Sequence, residues 1–199
     1  MKRAFVSFLL ATVAATPVLA QEGTVVEEVV VVAQTPVGGA SVPIDQVPSA
    51  VEVINADALE RTGTRSLLRA LGEGVGQVSV NSAQANPFQP NVTYRGFEAS
   101  PLAGNAQGLA VYVEGVRFNQ SFGDTVNWDL IPDAAISSIT VEGSNPVFGL
   151  NALGGSLDVR LKTGATFQGF GADISGGSFG RRDGFVEWGG EVGGATLYV

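Results

Sequence analysis

The 199-residue sequence contains neither cysteine nor histidine. The absence of cysteine excludes disulfides, so the stability of the fold must come from packing. The absence of histidine removes the commonest general base and the commonest transition-metal ligand. We therefore predict that the protein is not an enzyme, with no catalytic residues, no cofactor and no metal held by its own side chains.

Basic residues are also scarce. The 11 lysines and arginines are outnumbered by 19 aspartates and glutamates, which gives a formal net charge of −8. A chain this acidic repels nucleic acid, and it has no basic amphipathic segment that would bind anionic lipid headgroups. Glycine, by contrast, is abundant, with 27 residues, which favours tight turns over long helices.

The N-terminus has the pattern of a secretory signal peptide, residues 1–20. Lys2 and Arg3 give a positive start, an apolar run follows from Ala4 to Ala15, and small residues precede a mature start at Gln21. The alternative is a membrane anchor, but the apolar run is shorter than the roughly 20 residues that span a bilayer. We therefore predict that the protein is exported.

Residues 21–46 are predicted to be flexible and extended, because Pro36, Pro43 and the Gly38-Gly39 pair prevent a helix. The only strand-like element there is a valine-rich stretch with no obvious partner strand nearby in the sequence. Consecutive β-branched residues favour an extended backbone, and a tethered, unpaired strand suits β-augmentation by another protein. Two alternatives stay open, a buried edge strand of the following domain and a late part of the leader. The stretch consists of Glu27, Glu28, Val29, Val30, Val31, Val32, Ala33 and Gln34.

A compact α+β domain is predicted over residues 47–164. It opens with a strand at 49–54, a helix at 56–61 capped by Asn55, and a second helix at 65–71 capped by Thr64. Polar loops at 81–90 and 98–107 separate the central strands. The remaining predicted elements are strands at 78–80, 91–97, 109–116, 138–142 and 156–163, and a short helix at 129–137.

The pattern changes after Gly164. Apolar residues alternate with small or polar ones at 169–175, 183–192 and 195–199, with a hairpin turn between the first two segments. Period-two segments joined by turns are typical of a transmembrane β-barrel. The alternative is an ordinary antiparallel sheet of a soluble domain. We predict the start of a β-barrel at 165–199, truncated, since a whole barrel needs many more strands.

The order of these pieces resembles the plug domain and first barrel strands of TonB-dependent outer-membrane receptors. EEVVVVAQ resembles the TonB box of that family, and VPSAVEVINADALERTG with SLLRALG resembles the strand–helix opening of its plug. NVTYRGF and LAVYVEGVRFN resemble two of its plug strands, and IPDAAISSITVEGSNPVFGLNALGGSLDVRLKT resembles its closing plug motif. There are departures, since residues 142–146 stand where the family commonly has Arg-Gly-Pro, Phe148 replaces a tyrosine, and Glu114 replaces an aspartate.

The resemblance implies a plug with a small mixed β-sheet and short helices, followed by the first antiparallel strands of an incomplete transmembrane β-barrel. It implies energised uptake of a scarce ligand such as a ferric siderophore, in the outer membrane, with the plug inside the barrel lumen. The implied partners are the periplasmic C-terminal domain of TonB at residues 27–34, outer-membrane lipid around the barrel, and a chelated metal, cobalamin or oligosaccharide as ligand. The alternative is a passive structural or adhesive outer-membrane β-barrel protein without TonB coupling.

The resemblance also implies that apical loops of the plug contact the ligand. Amide side chains with an occasional aromatic suit such a ligand, although amides are common in any loop. Arg95, at a strand end, is a candidate contact between plug and barrel, or else a solvated terminus. Asp124 and Asp129 are interpreted as solvent-facing and not as an acid–base pair. The candidate ligand contacts are Gln84, Asn86, Phe88, Gln89, Asn105, Gln107, Asn119, Gln120 and Phe122.

Overall fold

The computed structural model describes residues 32–34, 41–43, 49–61, 66–86 and 89–199. The predicted signal peptide, residues 27–31 of the valine-rich stretch, Thr64 and Phe88 lie outside the described residues. In chain order the elements are β1 (Val32–Gln34), β2 (Ser41–Pro43), β3 (Val51–Asn55), α1 (Ala56–Arg61), α2 (Leu67–Gly74), β4 (Val78–Ser82), β5 (Pro90–Tyr94), β6 (Phe97–Ala99), β7 (Leu109–Val113), β8 (Val116–Arg117), β9 (Ile136–Gly143), β10 (Gly155–Leu161), β11 (Gly169–Gly176), β12 (Arg182–Val192) and β13 (Ala195–Tyr198).

The end of the valine-rich stretch has a partner strand. β1 pairs antiparallel with β2, with Ala33 opposite Val42, and the two strands form a sheet of their own. The expectation that the stretch is the only strand-like element of residues 21–46 is therefore wrong. Pro43 argued against a second strand there, but proline is tolerated at the end of an edge strand, where its missing N–H need not join a ladder.

The central sheet is mixed, as predicted. Its five strands lie in the order β3-β9-β10-β7-β8, with β10 parallel to β7 and antiparallel to β9. A second, three-stranded antiparallel sheet has the order β4-β5-β6. The β5–β6 and β7–β8 hairpins each turn through a non-glycine residue at positive φ followed by a glycine. These are Arg95 (53°) before Gly96 and Glu114 (53°) before Gly115. Two successive residues at positive φ match the right-handed twist of a two-residue hairpin. The predicted strand at 91–97 therefore runs into a turn, as expected, whereas the predicted strand at 109–116 is a hairpin.

The core lies on one face of the central sheet. Ile139 and Val141 of β9 alternate with buried polar residues, and Leu157 and Val159 of β10 do the same; all four side chains are at most 1% exposed. Helix α1 contacts β3 and β9, and α2 contacts β4. Leu67, Ala70 and Leu71 are the buried residues of α2, at the spacing of one helix face.

The start of α2 is fixed from a distant part of the chain. The Leu67 N–H donates to Asp133 Oδ1 at 3.2 Å, and the N-cap residue Ser66 makes no side-chain cap bond. Ser66 is extended and the helix begins at Leu67, so the prediction of helix at residue 66 is wrong, whereas Arg65 lies outside the described residues. The predicted helix at 129–137 is also wrong, because this segment forms 3₁₀ turns at Trp128–Leu130 and Asp133–Ala135. Pro132 separates the two turns because it has no N–H to donate.

The last three strands form an antiparallel meander in the order β11-β12-β13. Successive side chains of β12 point to opposite faces, since Val186 is 63% exposed whereas Glu187 is 3% exposed. Phe170 and Ile174 of β11 lie on the same face as Val186 by the strand register, and both are largely exposed. The meander therefore has one apolar outer face and one face that turns toward the preceding domain.

No helix among the described residues is both long and apolar enough to cross a membrane.

Candidate functional site

Four of the predicted ligand contacts line one open cleft of ≈ 720 Å³. Its walls come from the loop after β6, the segment that follows β8, and the β9–β10 loop. The cleft brings together the predicted residues Asn105, Gln107, Asn119 and Gln120 with Arg117, Ser121, Gly123, Asp124, Leu150 and Asn151.

An ion pair forms part of this lining. Arg117 Nη2 donates to both carboxylate oxygens of Asp124, at 3.1 and 3.2 Å, and the Asn151 side-chain amide donates to Asp124 Oδ2 at 2.8 Å. Asp124 and Asn151 both adopt positive φ, 51° and 58°, a conformation that Asp and Asn tolerate better than most residues. The interpretation of Asp124 as solvent-facing is therefore wrong, because the carboxylate is bound on both oxygens. Asp129, by contrast, is exposed.

Two of the predicted contacts direct their polar atoms into the protein. Asn119 is 8% exposed, accepts from the Val111 N–H at 2.7 Å and donates to the carbonyls of Leu109 and Asp124 at 3.0 and 3.2 Å. Gln107 accepts from the Ser100 N–H at 2.8 Å and donates to the carbonyls of Ser100 and Leu102. These amides fix the backbone of the cleft wall, so they position its other residues.

The other lining amides keep polar atoms available. Asn105 donates to Ser100 Oγ at 3.2 Å, and Gln120 accepts from Thr125 Oγ1 at 3.3 Å. Within the described residues, Asn105 Oδ1, Gln120 Nε2 and Asn151 Oδ1 have no hydrogen-bond partner. These atoms can hydrogen-bond a molecule in the cleft.

Four further predicted contacts that the structure describes, Gln84, Asn86, Gln89 and Phe122, are not among the lining residues of the cleft. Gln84 lies in a 3₁₀ turn with φ 51°, and the Asn86 amide donates to Gln89 Oε1 at 3.2 Å. Phe122 projects from the segment between two lining residues and is 87% exposed. The described residues of the predicted loop 81–90 therefore lie outside the lining of the cleft.

Arg95 contacts neighbouring plug residues. Its guanidinium donates to the Gln77 side chain and lies 5.1 Å from the Tyr94 ring centroid. Its predicted contact with a carboxylate on the inner wall of the barrel stays a prediction.

No group of three or more acidic side chains in the described part of the chain could hold a metal ion. The cleft instead offers planar amides and one neutralised ion pair. The sequence analysis did not predict Arg117 or Asn151 as site residues. Asp124 ends the predicted apical loop 119–124 but was not itself a candidate ligand contact, and Arg117 precedes the same loop.

These features define a plug-type domain that continues into an antiparallel strand meander. The family model for the TonB-dependent receptor plug domain matches residues 43–156, more than half of the chain. The chain therefore belongs to the TonB-dependent receptor plug domain family, as the sequence resemblance implied. This is a family of receptors, which supports the prediction that the protein is not an enzyme.

Solved structures agree on the fold. The ferric-catecholate import receptor Fiu from E. coli K12, in its closed form, matches with a TM-score of 0.57 and 19% identity over 81% of this chain and 21% of the receptor. The siderophore receptor PiuA from Acinetobacter baumannii gives 0.55 and 20% over 74% of this chain and 19% of that one. The ferric yersiniabactin uptake receptor FyuA from Yersinia pestis gives 0.53 and 15% over 75% and 23%. The chain spans about a fifth of the length of these receptors, and no curated protein sequence matches it.

Proposed function

We propose that the chain is the plug and the first barrel strands of an outer-membrane receptor that imports a scarce ligand, such as a ferric siderophore, with energy delivered through TonB. One observation carries the proposal, namely the direct passage from a plug sheet into a meander whose apolar face points away from the plug. Glu187 faces the plug and accepts from Lys162, which immediately follows β10, at 2.7 Å, whereas Val186 and Phe170 face outward. Lipid contact on one side and a polar lumen on the other require this alternation.

The proposed TonB-binding segment is the valine-rich stretch, residues 27–34. Its described end, β1, pairs with β2 and lies outside the five-stranded sheet. A short two-stranded ribbon is marginally stable in water, so TonB would add a strand to it or displace β2 at small cost. The main-chain ladder would supply affinity, and alternate valines would set the register.

The proposed ligand contacts are the cleft and the exposed ring of Phe122. The solved neighbours carry names that assign them ferric yersiniabactin, ferric catecholates and other siderophores. This supports a ferric siderophore here, although cobalamin or an oligosaccharide would use the same amide chemistry.

A transport assay tests the proposal. The full-length receptor is expressed in cells with and without TonB, and uptake is measured for a panel of radiolabelled ferric siderophores, cobalamin and oligosaccharides. We expect uptake of one class that disappears without TonB. Uptake that is equal in both strains would favour the passive outer-membrane alternative.

A further inference from the structure

The charge of the cleft is balanced within the cleft itself. Arg117 and Asp124 are its charged lining residues, and they form a two-bond ion pair with side chains 28% and 19% exposed. Asn151 strengthens the arrangement by donating to Asp124 at 2.8 Å. A ligand in this cleft therefore meets a guanidinium whose charge is already offset by a fixed carboxylate.

Among the described residues that line the cleft, Arg117 is the only basic one. The chain carries a formal net charge of −8, and near the cleft Glu98 Oε2 accepts from the side chain of the lining residue Asn105 at 3.4 Å. A multiply anionic ligand would approach Asp124 and a net negative plug. Like charges at close range suppress binding of the wrong partner.

The hydrogen-bonding atoms that remain are uncharged. Asn105 Oδ1, Gln120 Nε2 and Asn151 Oδ1 are available in the described structure, and so is the hydroxyl of Ser121. Leu150 in the lining and Phe122 beside it are 84% and 87% exposed, so apolar parts of a ligand have surfaces to cover. Neutral donors, neutral acceptors and apolar patches complement a neutral ligand rich in oxygen.

We infer that this receptor selects a net-uncharged, oxygen-rich ligand over a multiply anionic one, and that the Arg117–Asp124 pair sets this selectivity. The inference rests on the proposed function and specifies its substrate class. An uncharged ferric tris-hydroxamate and a neutral oligosaccharide share the required chemistry. A trianionic ferric tris-catecholate does not share it.

The test compares three probes on the full-length receptor in outer-membrane vesicles, namely a ferric tris-hydroxamate, a ferric tris-catecholate and a maltooligosaccharide. We expect an uncharged probe to bind at least about tenfold tighter than the tris-catecholate, the factor that one unfavourable charge contact supplies in a partly solvated site. Binding of the tris-hydroxamate would identify a chelate as the ligand, and binding of the maltooligosaccharide would identify a sugar.

Asp124→Asn isolates the ion pair. Asparagine has the same shape and tolerates the positive φ at this position, so the loop is retained while Arg117 becomes a net positive charge. We expect the ratio of tris-catecholate to uncharged-probe affinity to rise about tenfold. Asp129→Asn removes one equal charge from an exposed position outside the cleft, and it should leave the ratio unchanged within about twofold. Protease resistance of both variants verifies that they are folded.

Tighter binding of the tris-catecholate by the wild type, binding of neither uncharged probe, or an unchanged ratio in Asp124→Asn would overturn the inference. None of these results touches the proposed function, provided that some ligand is taken up only when TonB is present. Loss of all TonB-dependent uptake overturns the proposed function instead, so the two failures are distinguishable.

Discussion

Lys162 and Glu187 form a buried ion pair that joins the plug to the meander. Lys162 Nζ lies 2.7 Å from Glu187 Oε2, and the two side chains are 7% and 3% exposed. The Tyr198 hydroxyl donates to the same oxygen at 2.7 Å, and Lys162 Nζ lies 4.9 Å from the Phe167 ring centroid. Charged and aromatic groups from both sides of residue 164 therefore hold the end of the plug against β12 and β13.

We predict that Glu187→Ala destabilises this junction by about 3–5 kcal/mol, because it leaves the Lys162 ammonium buried without a counter-charge. The free energy of unfolding is measured by urea denaturation in detergent, followed by tryptophan fluorescence, which reports on Trp188, the next residue in β12, and on Trp128 in the core. The double variant Lys162→Met with Glu187→Leu should recover most of the loss, since neither charge then remains buried.

An exposed pair on the same meander provides the control. Arg181 and Asp183 are ion-paired, with side chains 60% and 51% exposed. Asp183→Asn should change the free energy of unfolding by no more than about 1 kcal/mol. A loss at Asp183 equal to that at Glu187 would contradict the special role assigned to burial.

Asn119 and Asn105 are predicted to respond differently to truncation. Asn119→Ala leaves the buried N–H of Val111 and the carbonyl of Leu109 without their side-chain partner, so stability should fall by about 2–3 kcal/mol. Asn105 is exposed, and its alanine variant should change stability by less than about 0.5 kcal/mol. Ligand affinity of the full-length receptor should fall about fivefold in Asn105→Ala, the worth of one hydrogen bond.

These two readouts, unfolding free energy and ligand affinity, decide between positioning and contact. If Asn119→Ala lowers ligand affinity but keeps wild-type stability, Asn119 is a direct ligand contact and not a positioning residue. Asn105→Ala that loses only stability would remove Asn105 from the candidate site.

Patterns of neighbouring residues predicted those strands and helices that are determined by their own sequence. Alternation identified β4, β11 and β12, and helix-face spacing identified α2. The start of α2 was not predictable, because its capping group, Asp133, is 66 residues away in sequence. Residue type alone marks Asn119 as a candidate ligand contact. It does not show that the Asn119 side chain bonds to backbone groups that folding brings together.

Stability should depend on pH through Asp158. Burial raises the pKa of its carboxyl, an effect that the ion pair with Arg160 at 2.8 Å opposes. Oδ1 is buried and has no hydrogen-bond partner among the described residues. A carboxyl whose pKa is higher in the folded than in the unfolded state binds its proton more tightly when folded, so its cost is present at neutral pH. This cost disappears as pH falls through the folded pKa toward the unfolded value of 3.8.

Asp158→Asn removes this titration. We predict that its free energy of unfolding, relative to wild type, is higher at about pH 7 than at about pH 4, since only the wild type carries the ionised carboxylate at neutral pH. Urea unfolding across a pH series measures the difference. Asp133, whose pKa is also raised by burial, is present in both proteins and cancels. A difference that does not vary with pH would show that the Asp158 carboxyl has the same pKa in both states.

The valine-rich stretch is tested by Val31→Pro. Proline removes an N–H from any ladder at this position, so binding of the periplasmic C-terminal domain of TonB should be abolished in an isothermal titration with the full-length receptor. The plug should stay folded, because the described end of the stretch pairs with β2 and not with the five-stranded sheet. Val26→Pro, just before the stretch, is the matched control and should retain TonB binding. If Val31→Pro instead unfolds the plug, the stretch is a structural edge strand and not a binding segment for another protein.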